Sequence, residues 1–82
     1  MLQAKIDITL RKTVADPQGL TIKHALESLG YQNLADVRMG KLVTIKLDTG
    51  DKQAAEADIK EMCQKLLANP IIEDYSFTIS EE

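Results

Sequence analysis

The sequence predicts an α+β fold of ferredoxin-like type, ordered β-α-β-β-α-β, in which a four-stranded antiparallel sheet carries two helices on one face. Three observations predict it. Several segments alternate apolar and polar residues at period two, as half-buried strands do. Two others repeat apolar residues at i, i+3, i+4 and i+7, one face of a helix. Glycine, proline and turn-forming residues separate these segments in the stated order, which a single small domain satisfies with this topology.

The first strand is written in Ala4, Ile6, Ile8 and Leu10 on one side and Lys5, Asp7, Thr9 and Arg11 on the other. Asp16-Pro17 then supplies an N-cap followed by proline at the first helical position, although Gly19 also allows a start near Leu20 or Thr21. Ile22, Ala25, Leu26 and Leu29 form the apolar face of this helix, and Gly30 suits the left-handed position that closes it. Leu34 to Met39 and Leu42 to Leu47 read as the next two strands. Gly40 between them either turns a hairpin or lies within a longer strand. Val43, Ile45 and Leu47 share one face. Thr49-Gly50-Asp51 provides a turn and a cap before the helix formers Ala54 to Ala57, and Ile59, Met62, Cys63 and Leu66 are expected to face the sheet. Asn69-Pro70 ends that helix, because proline disfavours helical geometry in the residue before it. Ile71, Tyr75, Phe77 and Ile79 then mark the last strand.

A chain of 82 residues is expected to form one domain, 1–82, that buries about two-thirds of its unfolded surface, so added burial against a partner would help. With two tyrosines and one phenylalanine, the core must be aliphatic. The lone Cys63 reads as a reduced core residue, which, with no signal-like or membrane-length apolar run, points to the cytoplasm. Thirteen acidic and ten basic residues give a net charge of −3 with no basic stripe. That excludes the phosphate neutralisation and base stacking on which nucleic-acid binding relies. No membrane partner is expected either.

No catalytic, cofactor-binding or metal-binding residue is assigned. His24 has no neighbouring nucleophile with a local signature, and one histidine with one cysteine cannot complete a zinc site. Glu73 and Asp74 are adjacent and point to opposite faces of a strand, so they cannot act as one carboxylate pair. Gly40-Lys41 lacks the preceding glycine-rich stretch and the following Ser or Thr of a phosphate loop. An RNA-recognition domain would need aromatics in its central strands, where Val37, Val43 and Ile45 are aliphatic, and a Cys-x-x-Cys pair is lacking.

Three separated segments resemble the PurS family, the small subunit of phosphoribosylformylglycinamidine synthase. They are Asp16-Pro17-Gln18-Gly19 with His24 to Tyr31, Val37-Arg38-Met39-Gly40-Lys41, and the run from Glu61 to Phe77. The sequence departs from the family pattern at Leu42 and Thr44, where an aromatic residue and soon a glutamate are favoured. The resemblance implies a non-catalytic assembly subunit of purine biosynthesis that bridges a large synthetase subunit and a glutaminase subunit for ammonia transfer. The complex would be an ATP-dependent, amidine-forming ligase using magnesium, with glutamine as nitrogen donor, and the isolated chain would be inactive. It also implies a homodimer or dimer of dimers. Arg38, Gly40, Lys41, Asp74 and Tyr75, drawn from the matching segments, are the candidate partner interface, and Arg38→Glu is expected to weaken assembly while leaving the fold intact. The alternative of another class is a ferredoxin-like regulatory domain that binds a small molecule, such as an amino acid, at a seam between sheets.

Overall fold

The computed structural model describes residues 1–81. Strand β1 (Leu2–Leu10) leads to helix α1 (Pro17–Ser28), strand β2 (Gly40–Leu47), helix α2 (Lys52–Met62) and strand β3 (Glu73–Glu81). The sheet has three strands in the order β2-β1-β3, both pairings antiparallel. Its rows follow the period-two pattern: Ala4 lies between Ile45 and Ile79, and Ile6 between Val43 and Phe77. One face is therefore aliphatic and the other carries Lys5, Asp7 and Thr9 with Thr44, Ser76 and Thr78.

Side-chain chemistry fixes both helix starts. The Asp16 carboxylate accepts a hydrogen bond from the Gly19 N–H at 3.0 Å, and Asp51 accepts from Ala54 N–H at 3.1 Å. Helix α1 therefore begins at Pro17, the earlier of the two starts the sequence allows. At its end Gly30 takes φ +106°. Its N–H bonds Glu27 O at 3.0 Å while Tyr31 N–H reaches Leu26 O at 3.2 Å, the paired bonds that satisfy the last carbonyls of a helix.

The expected fourth strand is absent, and the four-stranded ferredoxin-like sheet is corrected to a three-stranded one. Residues 31–39 have no regular secondary structure, and Gly40 is the first residue of β2, not a hairpin turn. The cause lies in where the backbone of that segment finds its partners. Val37 N–H donates to Asp36 Oδ1 at 2.9 Å, Met39 N–H to Asp16 Oδ2 at 2.7 Å, and Ala35 O accepts from Lys23 Nζ at 3.4 Å. These groups end on side chains, two of them near α1, where a strand would use a neighbouring ladder.

The expectation of two helices on one face is corrected as well. Helix α2 packs on β1 and β3, whereas Gly19 is the only buried residue of α1. The core is Ala4, Ile6, Ile8, Ile59, Cys63 and Ala68, with Val43, Ile45, Leu47, Tyr75, Phe77 and Ile79 packed around it. Its α2 contribution departs from the expected face in part: Ile59 and Cys63 are fully buried, but Met62 is 36% exposed and Leu66 83%. From Cys63 to Leu67 the helix widens into a π turn. More residues per turn rotate Leu66 outward and bring Leu67 and Ala68 to the core instead.

The last strand begins later than the alternation suggests. Asn69 O accepts from both Ile72 N–H, at 3.1 Å, and Glu73 N–H, at 2.7 Å, so Asn69 to Ile72 form a turn and Ile71 is exposed.

Candidate functional site

Sheet register draws four of the five candidate interface residues to one end of the molecule. Gly40 and Asp74 both pair with Thr9, one on each side of β1, and Lys41 and Tyr75 both pair with Ile8. Their roles there differ. Tyr75 points with Ile8 into the half-buried aliphatic face. Asp74 lies on the opposite face and forms an ion pair with Arg11 at 3.6 Å, while Lys41 Nζ reaches Glu73 Oε2 at 3.5 Å. Arg11 also donates to the carbonyl of Pro70, tying the start of β3 to the end of β1. Gly40 is a close approach, since a Cβ there would stand 2.9 Å from the Ile8 carbonyl oxygen.

Arg38 works differently from a free interface charge. Its guanidinium donates to Val14 O at 2.6 Å and Lys12 O at 3.0 Å, and its Nε faces Asp36 Oδ2 at 3.4 Å. The planar fork of arginine suits such a span. It holds the loop after β1 to the segment before β2, so Arg38→Glu would perturb the protomer as well as any contact made through it.

Two residues outside the candidate interface, Asp16 and Gly19, complete this clasp. Asp16 Oδ1 caps α1 while Oδ2 accepts from Met39 N–H, so one carboxylate joins the two segments. Gly19 lets them touch: a Cβ there would lie 2.1 Å from Val37 O. The Asp-Pro start gave a signal for the first role of Asp16, and nothing local reveals the second, which depends on a partner 23 residues away. The two backbone hydrogen bonds, with the nearby Arg38 charge adding to them, hold the Asp16 carboxyl below its ordinary value. Burial pushes the Cys63 thiol up, keeping it protonated and inert.

The sign of the Asp16 shift sets a pH prediction. A carboxyl depressed in the folded state stabilises fully above the unfolded value, about 3.9, and loses that contribution as pH falls through the lower folded value. Below about pH 4 the segment 36–39 should therefore begin to release from α1. Hydrogen exchange at the Met39 amide tests this: wild type should lose protection as the pH falls, and Asp16→Asn should make the profile flatter.

Shallow cavities flank the clasp. One of about 360 Å³ lies among Asp16, Pro17, Leu20, Lys23, Val37 and Arg38, and another of about 180 Å³ among Ile8, Gln18, Met39, Lys41 and Glu73. Neither is lined by a serine, threonine, cysteine or histidine side chain. Among the described residues no group of three or more His, Cys, Asp or Glu side chains is placed to hold a metal ion, and no helix is long and apolar enough to cross a membrane.

Comparison with known proteins places this geometry. The family model described as PurS, phosphoribosylformylglycinamidine (FGAM) synthase, matches residues 3–81. The chain belongs to the PurS family. Its relative in Bacillus subtilis, phosphoribosylformylglycinamidine synthase subunit PurS, is 41% identical over 81 residues, covering 99% of this chain and 95% of that one. The crystal structure of Methanocaldococcus jannaschii PurS superposes with a TM-score of 0.88 at 36% identity, covering 100% of this chain and 99% of that one. That protein is described as one of the subunits of formylglycinamide ribonucleotide amidotransferase in the purine biosynthetic pathway. A chain of the PurLQS structure from Thermotoga maritima matches with a TM-score of 0.86 at 29% identity, covering 96% of each. The chain is thus a PurS subunit of FGAM synthase, of purine biosynthesis.

Proposed function

We propose that this chain is the non-catalytic assembly subunit of its synthase, bridging a large synthetase subunit and a glutaminase subunit so that ammonia passes between their active sites. The observation that carries the reading is the PurS match over residues 3–81, together with the match to a chain of the PurLQS structure. It also favours the subunit over a free-standing small-molecule sensor. Ammonia released into water is protonated and lost as a nucleophile, so a subunit that aligns two sites contributes through geometry. ATP and magnesium are used by the large subunit in the ligase step, and the complex works in the cytoplasm. Arg38, Gly40, Lys41, Asp74 and Tyr75 mark the end of the protomer that meets those partners.

The chain acts as a homodimer or a dimer of dimers. Its radius of gyration is 16.2 Å and its longest dimension 48 Å, whereas a compact domain of this length has a radius of about 12 Å. Leu20, Leu29 and Tyr31 are each more than half exposed on the part that projects. So much apolar surface on a small protomer calls for a partner.

Reconstitution tests the bridging role. The purified chain alone should show no synthase, glutaminase or ATPase activity, and glutamine-dependent turnover by the large subunit and glutaminase should require it. With ammonia supplied directly, its omission should matter far less. Lys41→Gln, which removes the charge of a side chain that is 66% exposed without setting a second carboxylate beside Glu73, should reduce glutamine-dependent turnover with little change in melting temperature. Unchanged glutamine-dependent turnover when the chain is left out would end the bridging reading.

A further inference from the structure

A dense set of hydrogen bonds holds the turn from Asn69 to Ile72 that leads into β3. Asn69 O accepts from Ile72 N–H at 3.1 Å and from Glu73 N–H at 2.7 Å. The Asn69 side chain accepts from Ile71 N–H at 3.1 Å, an Asx turn, and Pro70 fixes its own φ. Residues flanking the turn add to these. Glu73 Oε1 accepts from Asn69 N–H at 2.7 Å, Arg11 N–H donates to Ile72 O at 2.8 Å, and the Arg11 guanidinium donates to Pro70 O.

Two of the candidate interface residues are tied to this turn. Glu73, whose side chain is only 12% exposed, divides its carboxylate: Oε1 takes the turn and Oε2 faces Lys41 Nζ at 3.5 Å. Arg11 in the same way joins Pro70 O to Asp74, at 3.6 Å. What these contacts present to solvent is apolar, for Ile71 is 80% exposed beside Ile72 at 37%. A lone exposed isoleucine on a loose loop would call for no explanation. Here it stands on a backbone that has already lost its freedom, so burial against a partner would cost little further ordering.

Resting on the bridging reading, we infer that Ile71 is an anchor that enters an aliphatic-lined socket on the large synthetase subunit, with Asn69, Glu73 and Arg11 as its positioning residues. An apolar tip within a rim of paired charges is the layout of an interface core, and this one is continuous with the end of the sheet that carries Lys41 and Asp74. The synthetase is the occupant because it accepts the ammonia. A chain held there can wait for a glutaminase, whereas a chain held on the glutaminase alone would let each ammonia escape to water and be protonated. Lys41 and Asp74 then serve the interface by steadying the turn.

Ile71→Ala tests the anchor. The side chain is exposed, so melting temperature, far-UV circular dichroism and self-association should match wild type. Affinity for the large subunit, measured by titrating labelled chain with that subunit in ATP and magnesium, should fall about 10-fold or more. The chain concentration giving half-maximal glutamine-dependent turnover should rise in step, with the full rate recovered at saturation. Glu73→Ala should weaken binding too, and Glu73→Gln, which keeps an oxygen for the Asn69 N–H, should restore most of it. Equal impairment of the two Glu73 variants would overturn the positioning role, since both lose the charge that faces Lys41. Unchanged affinity and half-maximal concentration in Ile71→Ala would overturn the anchor, while a continued need for the chain would leave the bridging reading standing. Lost affinity for the glutaminase with synthetase binding intact, or lost self-association, would assign Ile71 to a different contact and again overturn it. Glutamine-dependent turnover that does not need the wild-type chain would remove the bridging reading itself.

Discussion

Gly19→Ala should destabilise the protomer and detach the segment 36–39 from helix α1, even though alanine is the better helix former. Within a helix the exchange alone is worth about 1 kcal/mol in alanine's favour. Here the new Cβ would stand 2.1 Å from the Val37 carbonyl oxygen and 2.9 Å from its carbonyl carbon, both backbone atoms that no rotamer change can move aside. Overpacking of this kind costs about 1–3 kcal/mol and at times more. The segment must shift outward, and with it go the Met39 bond to Asp16 and the Arg38 bonds to Lys12 and Val14. A net loss of about 2 kcal/mol would lower the melting temperature of so small a domain by roughly 10 °C. Gly50→Ala is the control: nothing lies within 4 Å of its Cβ position, so its effect should be within about 0.5 kcal/mol of zero. Equal melting temperatures for the two variants would show that the close approach at Gly19 is not a constraint.

Much of this fold can be read from local pattern. Strands β1 and β2 appear in the alternation of Ile6 and Ile8 with Asp7 and of Val43 and Ile45 with Thr44, since one face of each is packed and the other is wet. Asp51 announces α2, and Gly30 takes the positive φ that its place after α1 implies. What could not be read depends on partners distant in sequence. Ala35, Val37 and Met39 alternate as a strand would, yet their segment is held by the side chains of Lys23, Asp36 and Asp16 and by the bare Cα of Gly19. A period-two pattern reports alternate faces, not what lies beside the backbone.

The candidate site shows the same division. Gly40, Lys41, Asp74 and Tyr75 come from matching segments far apart in the chain, and only the register of both with β1 brings them into adjacent rows. Arg38 shares their segment but spends its donors on backbone carbonyls. Motif resemblance marked these positions without distinguishing a residue that meets a partner from one that shapes the surface.

The helix α2 stripe offers the second large effect, because Ile59 and Leu66 are equivalent by periodicity and opposite in the structure. Ile59 is fully buried among Ala4, Ile6 and Cys63, whereas Leu66 is 83% exposed once the π turn has rotated it out. Truncating a buried isoleucine to alanine costs about 2–5 kcal/mol through lost transfer energy and the cavity left behind. A chain of this length has roughly 4–12 kcal/mol in total, so Ile59→Ala should remove a large part of it. Leu66→Ala should cost the protomer under about 0.5 kcal/mol. Urea unfolding checks that comparison: the midpoint should fall steeply for Ile59→Ala and hardly at all for Leu66→Ala. Comparable losses would mean that the helix keeps a regular pitch through Cys63 to Leu67 and buries Leu66.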